Sequence, residues 1–470
     1  MSNLLRNIPS VNELLESPQL RTVVKKLNRG AVVSGVRDFL TNFREEIQTA
    51  VSDVNIPTAT ELADQIADWI IQTEQPKLRP VINATGVLLH TGLGRAPLAE
   101  EARNAIATVA DGYANLEVNL ESGARSQRVD AVEKLLCQTT GAEAAAVVNN
   151  NAGATLLVLA AIAAGRKVIV SRGQLVEIGG SFRLPEVMAQ SGAILAEVGT
   201  TNKTHLEDFE AAIGEDCAAM MRVHPSNFVI EGFTATPSLE ALVALGHKHN
   251  IPVIDDVGSG ALIDFAKYGV TGEPIVPASI KTGADLVLFS GDKLLGGPQC
   301  GIIVGRKALI KQVATHPLMR AFRVDKVTLA ALAATLRLYQ EQEIAEERVP
   351  LLSLLSTPIE NLKNRAERLA PQLAALPSIQ SAEPIQDHSF LGGGSVPSQK
   401  IPTYCVALTP TEGSIDQFAQ KLRLSSPAIF GRVKQNRLML DLRTVFPRQD
   451  TGLMSAVRAL GSQPEPEQEK

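Results

Sequence analysis

Phe289-Ser-Gly-Asp-Lys-Leu-Leu-Gly-Gly-Pro298 is the stretch that decides how this chain folds. Lys293 follows the apolar run Leu286–Ser290, which reads as a buried strand, and precedes a Gly-Gly-Pro turn. A lysine in apolar surroundings has a lowered pKa, which leaves its amine nucleophilic toward an aldehyde. The flanking glycines let the backbone pass close to a flat ring, and the Ser290 hydroxyl is placed to donate to a phosphate. By itself the motif also fits a surface lysine in a turn. A second stretch, Ile254-Asp-Asp-Val-Gly-Ser-Gly260, puts an acid at the carboxyl end of another apolar run. A carboxylate buried there is costly without a partner, and a protonated pyridine nitrogen is such a partner. Asp256 fits, with Gly258 and Ser259 along the ring's edge. Asp255 is the alternative, because sequence does not fix the phase of the strand.

Working outward, Val147-Val-Asn-Asn-Asn-Ala-Gly-Ala-Thr155 joins a strand to an apolar helix ending near Ala164. Asn150, Asn151, Ala152 and Gly153 then lie at a helix N-terminus, where free N–H groups and the positive dipole end suit a phosphate. Asparagine also caps helices routinely. The three stretches fall in order at strand ends, where open α/β sheets place ligands. Together they supply a phosphate cradle, a pyridinium partner and a Schiff-base lysine, which is what pyridoxal 5'-phosphate (PLP) requires. Lys293 and Asp256 are the candidate catalytic residues. Asn227, in Val223-His-Pro-Ser-Asn227, also follows a strand end and is placed for the ring's phenolic oxygen; His224 beside it reads equally well as structural.

The rest of the chain frames this site. Its 470 residues, 45% of them hydrophobic, can bury several cores. Residues 1–75 have helical periodicity in Val11–Leu15, Leu20–Leu27, Val32–Ile47 and Ala59–Ile71. Residues 76–346 alternate helices with the candidate strands Ala144–Asn149, Lys167–Ser171, Ile194–Val198, Ala218–Val223, Pro252–Asp256, Leu286–Ser290 and Cys300–Val304, ending in a long helix at about Val327–Glu346. Such alternation predicts an α/β fold, a mainly parallel seven-stranded sheet with helices on both faces. Pro350 opens a small α+β domain within 347–460, and 461–470 reads as a disordered acidic tail. The net charge of −5 excludes a protein that coats nucleic acid over its whole surface, so any RNA contact is local. The start lacks the features of a signal peptide and no run is long enough to span a membrane. The cysteines Cys137, Cys217, Cys300 and Cys405 have no metal-ligand spacing, so a reduced, cytoplasmic protein without a metal is expected.

Longer motifs add a family likeness. Val81-Ile-Asn-Ala-Thr-Gly-Val-Leu-Leu-His-Thr-Gly-Leu-Gly-Arg-Ala96, Val147–Ala152, Val170–Arg183, Glu197–His205 and Ser290–Pro298 resemble the motifs of the bacterial selenocysteine synthases, the L-seryl-tRNA(Sec) selenium transferases. The likeness runs through about 80–345 and more loosely through Ile429–Val433 and Leu438–Arg443. It departs from the family pattern at Gly92 and Ser126. The resemblance implies PLP-dependent transferase fold type I and a homo-oligomer, in the family a decamer. It implies conversion of seryl-tRNA(Sec) to selenocysteinyl-tRNA(Sec), with selenophosphate as the selenium donor. His90 and Arg95 are carried over as substrate residues. Arg320 and Arg323, three apart on one helical face, are expected to hold the selenophosphate anion, assisted by Thr200 and Thr201. Arg21, Lys25, Lys26 and Arg29 lie in a basic stripe of the N-terminal segment, which is expected to dock tRNA. The competing reading is a PLP-dependent lyase or aldolase for a free small molecule, which has little use for that helical segment.

Overall fold

The computed structural model describes residues 8–49, 57–74, 76–178, 180, 182–392 and 399–461. The chain divides into two compact units, one up to Pro80 and one from Val81 onward. The first contains helices Val11–Leu15, Pro18–Lys26, Arg29–Thr49 and Ala59–Thr73. Each start has a local cause. Ser10 and Ser17 accept N–H groups of the next turn, Pro18 sits at the first helical position, and Thr58 forms a reciprocal capping pair with Glu61. Leu20, Val23, Val36, Leu40, Leu62 and Ile66 close one core between them.

In the second unit, the larger sheet takes the order Ala144–Val148, Gly301–Gly305, Leu286–Ser290, Val253–Gly258, Cys217–Val223, Lys167–Ser171, Ile194–Val198. Gly301–Gly305 is antiparallel to both its neighbours; the other pairs are parallel. Central strands buried on both sides read as continuous apolar runs, which is why their positions were legible. Separate cores cover the two faces. Among the described residues no helix is long and apolar enough to cross a membrane.

Two expectations change. The helix expected at Val327–Glu346 is two, Lys326–Leu338 and Gln342–Arg348. The break lies where Tyr339 buries its ring and donates its hydroxyl to the Leu295 carbonyl (2.9 Å), pinning the helix end to the turn that carries Lys293. Val81–Ala84 and Val87–Leu89, within the residues assigned from sequence to the large domain, form strands that instead flank the smaller sheet. Its order is Val81–Ala84, Ala428–Lys434, Arg437–Asp441, Ile401–Pro410, Ile379–Gly392, Val87–Leu89. Of the expected acidic tail, 462–470 lie outside the described residues.

A buried polar knot fixes that N-terminal segment. Asp441 is fully buried and accepts from Ser389 (3.0 Å), Thr403 (2.7 Å) and the Arg443 N–H (3.1 Å). Its other partner is Arg432 (2.7 Å), whose guanidinium also holds the Thr85 carbonyl (2.6 Å) and Asp387 (2.9 Å). Gly86 (φ +77°) passes so close that a Cβ would lie 2.1 Å from Asp441 Oδ2. The knot therefore anchors the segment that runs on to His90 and Arg95. Asp441→Ala should cost about 3–5 kcal/mol, because it breaks the buried pair, leaving Arg432 with the carboxylate of Asp387 alone, and leaves the Ser389, Thr403 and Arg443 donors without an acceptor. A urea titration checks this, and an unchanged midpoint would show that the knot is dispensable.

Candidate functional site

The site forms where the large sheet's strands end. Leu286–Ser290 delivers Lys293 into a tight turn in which Gly291 lies against Cys300; a Cβ there would stand 2.5 Å from its sulfur. The Leu294 N–H donates to the Ser259 carbonyl (2.9 Å), tying this turn to the loop after Val253–Gly258. Lys293 is 5% exposed and Ser290 is buried beside it. Burial pulls the Lys293 ammonium below its ordinary range and the Arg95 guanidinium adds to this, while the carboxylates of Asp256, Asp292 and Glu273 oppose it. An amine so placed is available as a nucleophile and base.

The neighbouring strand settles its own phase. Asp255 points to one face, where the Ser279 hydroxyl donates to it (2.6 Å) and Arg222 lies 3.3 Å away. Asp256 points to the other, toward Asn151, whose amide donates to it (2.9 Å), and Thr155, whose hydroxyl does so (3.1 Å). Burial pushes the Asp256 carboxyl up to about 6, against these two hydrogen bonds and the charge of Lys293. Asp256 is thus a buried acid still short of positive charge, on the same side as the lysine.

Asn150 caps the helix Asn151–Ala163, its side chain accepting from the Gly153 N–H (2.7 Å). That bond uses the Gly153 donor, so the expected cradle narrows to the N–H groups of Asn151 and Ala152, which have no intrahelical partner. A Cβ on Gly301 would lie 2.2 Å from the Asn150 carbonyl, so only glycine lets the adjacent strand support this loop. Asn151 Oδ1 and the Ser259 hydroxyl are buried without a partner, as side chains awaiting a ligand would be. Asn227 is tied to the Glu177 carbonyl, to which its amide donates (2.8 Å), and its own oxygen is buried without a partner.

The arginines split. Arg320 lies in the short helix Leu318–Phe322, but Arg323 does not continue it. Arg323 is extended and bridges to Val148, while Asn149 donates to the Phe322 carbonyl (2.9 Å). The expected shared helical face is therefore absent: pairing with the strand end stops the helix and brings Arg323 alongside the Asn150 loop. Neither guanidinium has an ion-pair partner among the described residues. Arg95 holds φ +60°, a backbone state that costs a non-glycine residue of order 1 kcal/mol. It is fixed by its N–H to the His90 carbonyl (3.1 Å) and by Asp292 (2.8 Å), leaving its Nε and His90 Nδ1 buried and unpartnered. Thr201 lines a cavity of about 420 Å³ that also reaches His224 and Glu273. Thr200 does not join it; its hydroxyl closes a local turn onto the Lys203 carbonyl (2.9 Å). In the N-terminal unit Arg21, Lys25, Lys26 and Arg29 are exposed, with Arg21 paired to Glu16.

Sequence reasoning missed Thr155, Asp292 and Glu273. Thr155 stands one helical turn after Asn151 and Asp292 adjoins Lys293, so both were findable by spacing. Glu273 had no such signal.

Comparison with known proteins gives the family. The chain matches the family described as L-seryl-tRNA selenium transferase over residues 81–446, and that described as selenocysteine synthase N terminal over 5–44. It is 47% identical over 456 residues to the L-seryl-tRNA(Sec) selenium transferase of Moorella thermoacetica, covering 97% of this chain and 96% of that protein. It is 44% identical over 460 residues to the protein of that name from Geobacter sulfurreducens, covering 98% and 100%. Among solved structures it is similar to D-glucosaminate-6-phosphate ammonia-lyase, with a TM-score of 0.57 and 23% identity over 82% of this chain and 96% of that one. That likeness bears on the fold alone and agrees with fold type I. On the extent of these matches, the chain belongs to the L-seryl-tRNA selenium transferase family.

Proposed function

We propose that this enzyme converts L-seryl-tRNA(Sec) to L-selenocysteinyl-tRNA(Sec) with PLP as cofactor and selenophosphate as selenium donor. The observation that carries the reading is the buried pair of Lys293 and Asp256 at the sheet's end, within a chain of this family. The residues present fit the cofactor. Asp256 lacks a cation that a pyridinium would supply, and Asn151 Oδ1 and the Ser259 hydroxyl lack partners. Asp256 would hold the pyridine nitrogen. The Asn151 and Ala152 N–H groups, the helix dipole and Ser290 would hold the phosphate, and Lys293 the aldehyde carbon. When bound, PLP supplies an electron sink for the pair left at the seryl α-carbon.

The chain's own groups then do the following. Lys293, an amine whose burial favours its neutral form, takes the seryl α-proton and returns a proton as the β-hydroxyl leaves as water. Asp292 orients Arg95 toward the reacting end. Arg320 and Arg323, rigid donors without other anions to satisfy, bind the phosphoryl oxygens while selenium bonds to the β-carbon and its bond to phosphorus is cleaved by water, the phosphoryl group leaving as inorganic phosphate. The exposed cations of the N-terminal unit give the RNA a local docking surface on an otherwise acidic chain. The enzyme acts in the cytoplasm as a homo-oligomer, in this reading a ring of ten. Exposed Tyr113 and Leu120 offer apolar surface for such contacts.

Incubation with seryl-tRNA(Sec) and selenophosphate, followed by analysis of the esterified amino acid, tests the reading. Selenocysteine should form with the native enzyme and not with Lys293→Ala. Arg320→Ala and Arg323→Ala should each need roughly ten-fold more selenophosphate. Unconverted serine with the native, PLP-loaded enzyme would overturn the reading. In a filter-binding salt titration, reversing Lys25, Lys26 and Arg29 to glutamate should weaken tRNA(Sec) binding and flatten its salt dependence, since fewer phosphates are neutralised. An unchanged slope would place the RNA elsewhere.

A further inference from the structure

The cavity of about 420 Å³ adjoins the strand end that carries Asp256, since His224, which lines it, donates its N–H to the Asp256 carbonyl (2.9 Å), and it has a wall that the reaction above does not use. Glu273 lines it with a side chain only 2% exposed, and neither of its carboxylate oxygens has a hydrogen-bond partner among the described residues. His224 Nε2, at 3.6 Å, is too far to be one. Two buried, unsatisfied carboxylate oxygens are costly unless a ligand donates to them. The Ser226 hydroxyl, on the same cavity wall, is likewise buried and unpartnered.

The mouth of the cavity is built differently. Asn202, which lines it, donates to the Phe233 carbonyl (2.7 Å) and so ties down the loop carrying that residue. The Phe233 ring is 88% exposed, and the Lys203 ammonium stands 5.9 Å from its centroid. An exposed ring flanked by a cation is a platform on which an unpaired nucleobase stacks.

Chain length ties these features to one occupant. In a seryl-tRNA the serine is esterified to a ribose hydroxyl of the terminal nucleoside. Only the carbonyl carbon and one oxygen separate the α-carbon from that sugar, a path of roughly 4 Å at ordinary bond lengths. With the α-carbon held at Lys293, the nucleoside must occupy adjoining space. The cavity adjoins the end of Val253–Gly258, the strand paired with the one that leads to Lys293, and its size is within the range of ligand pockets, about 300–1,000 Å³. We propose that this cavity binds the 3'-terminal adenosine of the aminoacylated RNA, with Glu273 accepting the free vicinal ribose hydroxyl and Phe233 stacking on the base. A buried carboxylate accepting from a ribose hydroxyl is the device by which dinucleotide-binding folds grip that sugar. Recognition of this kind checks that the serine arrives on RNA, since free serine carries neither sugar nor base. The proposal rests on the reaction assigned above.

The test titrates the PLP-loaded, full-length enzyme with 3'-serylamido-3'-deoxyadenosine, a hydrolysis-resistant mimic of the aminoacyl end, and with its 2'-deoxy counterpart, by calorimetry. The native enzyme should bind the 2'-hydroxyl form about ten-fold more tightly than the 2'-deoxy form. Glu273→Ala should bind the two alike. Phe233→Ala should weaken both about ten-fold while leaving the affinity for free L-serine unchanged, which a general disturbance of the fold would not do. Equal binding of the two probes by the native enzyme, no binding of either, or discrimination that survives in Glu273→Ala would overturn the assignment. If the same preparation still converts seryl-tRNA(Sec), only the cavity assignment falls and the reaction stands.

Discussion

The site depends on one electrostatic constraint: a carboxylate at the end of a central strand, out of water, must be given positive charge. Asp256 receives two neutral donors, Asn151 and Thr155, and partial relief from Lys293, and its carboxyl still sits near 6. Neutral donors offset only part of the cost of removing an anion from water. The relation is reciprocal. A pyridinium beside Asp256 would draw the carboxyl back toward its ordinary range, and the carboxylate would hold the ring protonated where free pyridine is neutral. The features around it serve that geometry. Asn151 must begin a helix, Gly301 must lack a side chain for that helix to approach the strand, and Lys293 must turn back over the same face.

The second sheet contributes through one segment. Val81–Ala84 and Val87–Leu89 sit at its two edges, and the Asp441–Arg432 knot clamps the turn between them. The chain leaves this clamp directly into His90 and the strained Arg95, which Asp292 holds beside Lys293. The positions of His90 and Arg95 therefore depend on packing in the C-terminal sheet. Such an arrangement lets a cofactor site on one sheet be completed by groups whose position is set by the other.

Much of this was legible because the physics was local. Strands buried on both faces appear as uninterrupted apolar runs, and the glycines around Lys293 and Asn150 mark close backbone approaches. What was not legible depended on phase or on distant contacts. Asp255 and Asp256 are adjacent and chemically identical, and only the strand's facing separates a structural acid bonded to Ser279 from one turned to the lysine. Arg320 and Arg323 have helical spacing, yet pairing of Arg323 with Val148 ends the helix between them. Thr200 and Thr201 are adjacent, but the local turn takes one hydroxyl and leaves the other residue on the cavity. Glu273 gave no sign, because its burial is imposed by loops that meet only in the folded chain.

The most direct measurement is the protonation state of the cofactor ring, read by ¹⁵N NMR of enzyme loaded with PLP labelled at the pyridine nitrogen. The native protein should give a pyridinium signal that persists to alkaline pH, and Asp256→Asn should give that of a neutral pyridine under the same conditions. Asp255→Asn, if it folds, should keep the pyridinium signal. A neutral ring in the native enzyme, or a pyridinium that survives in Asp256→Asn, would contradict the account.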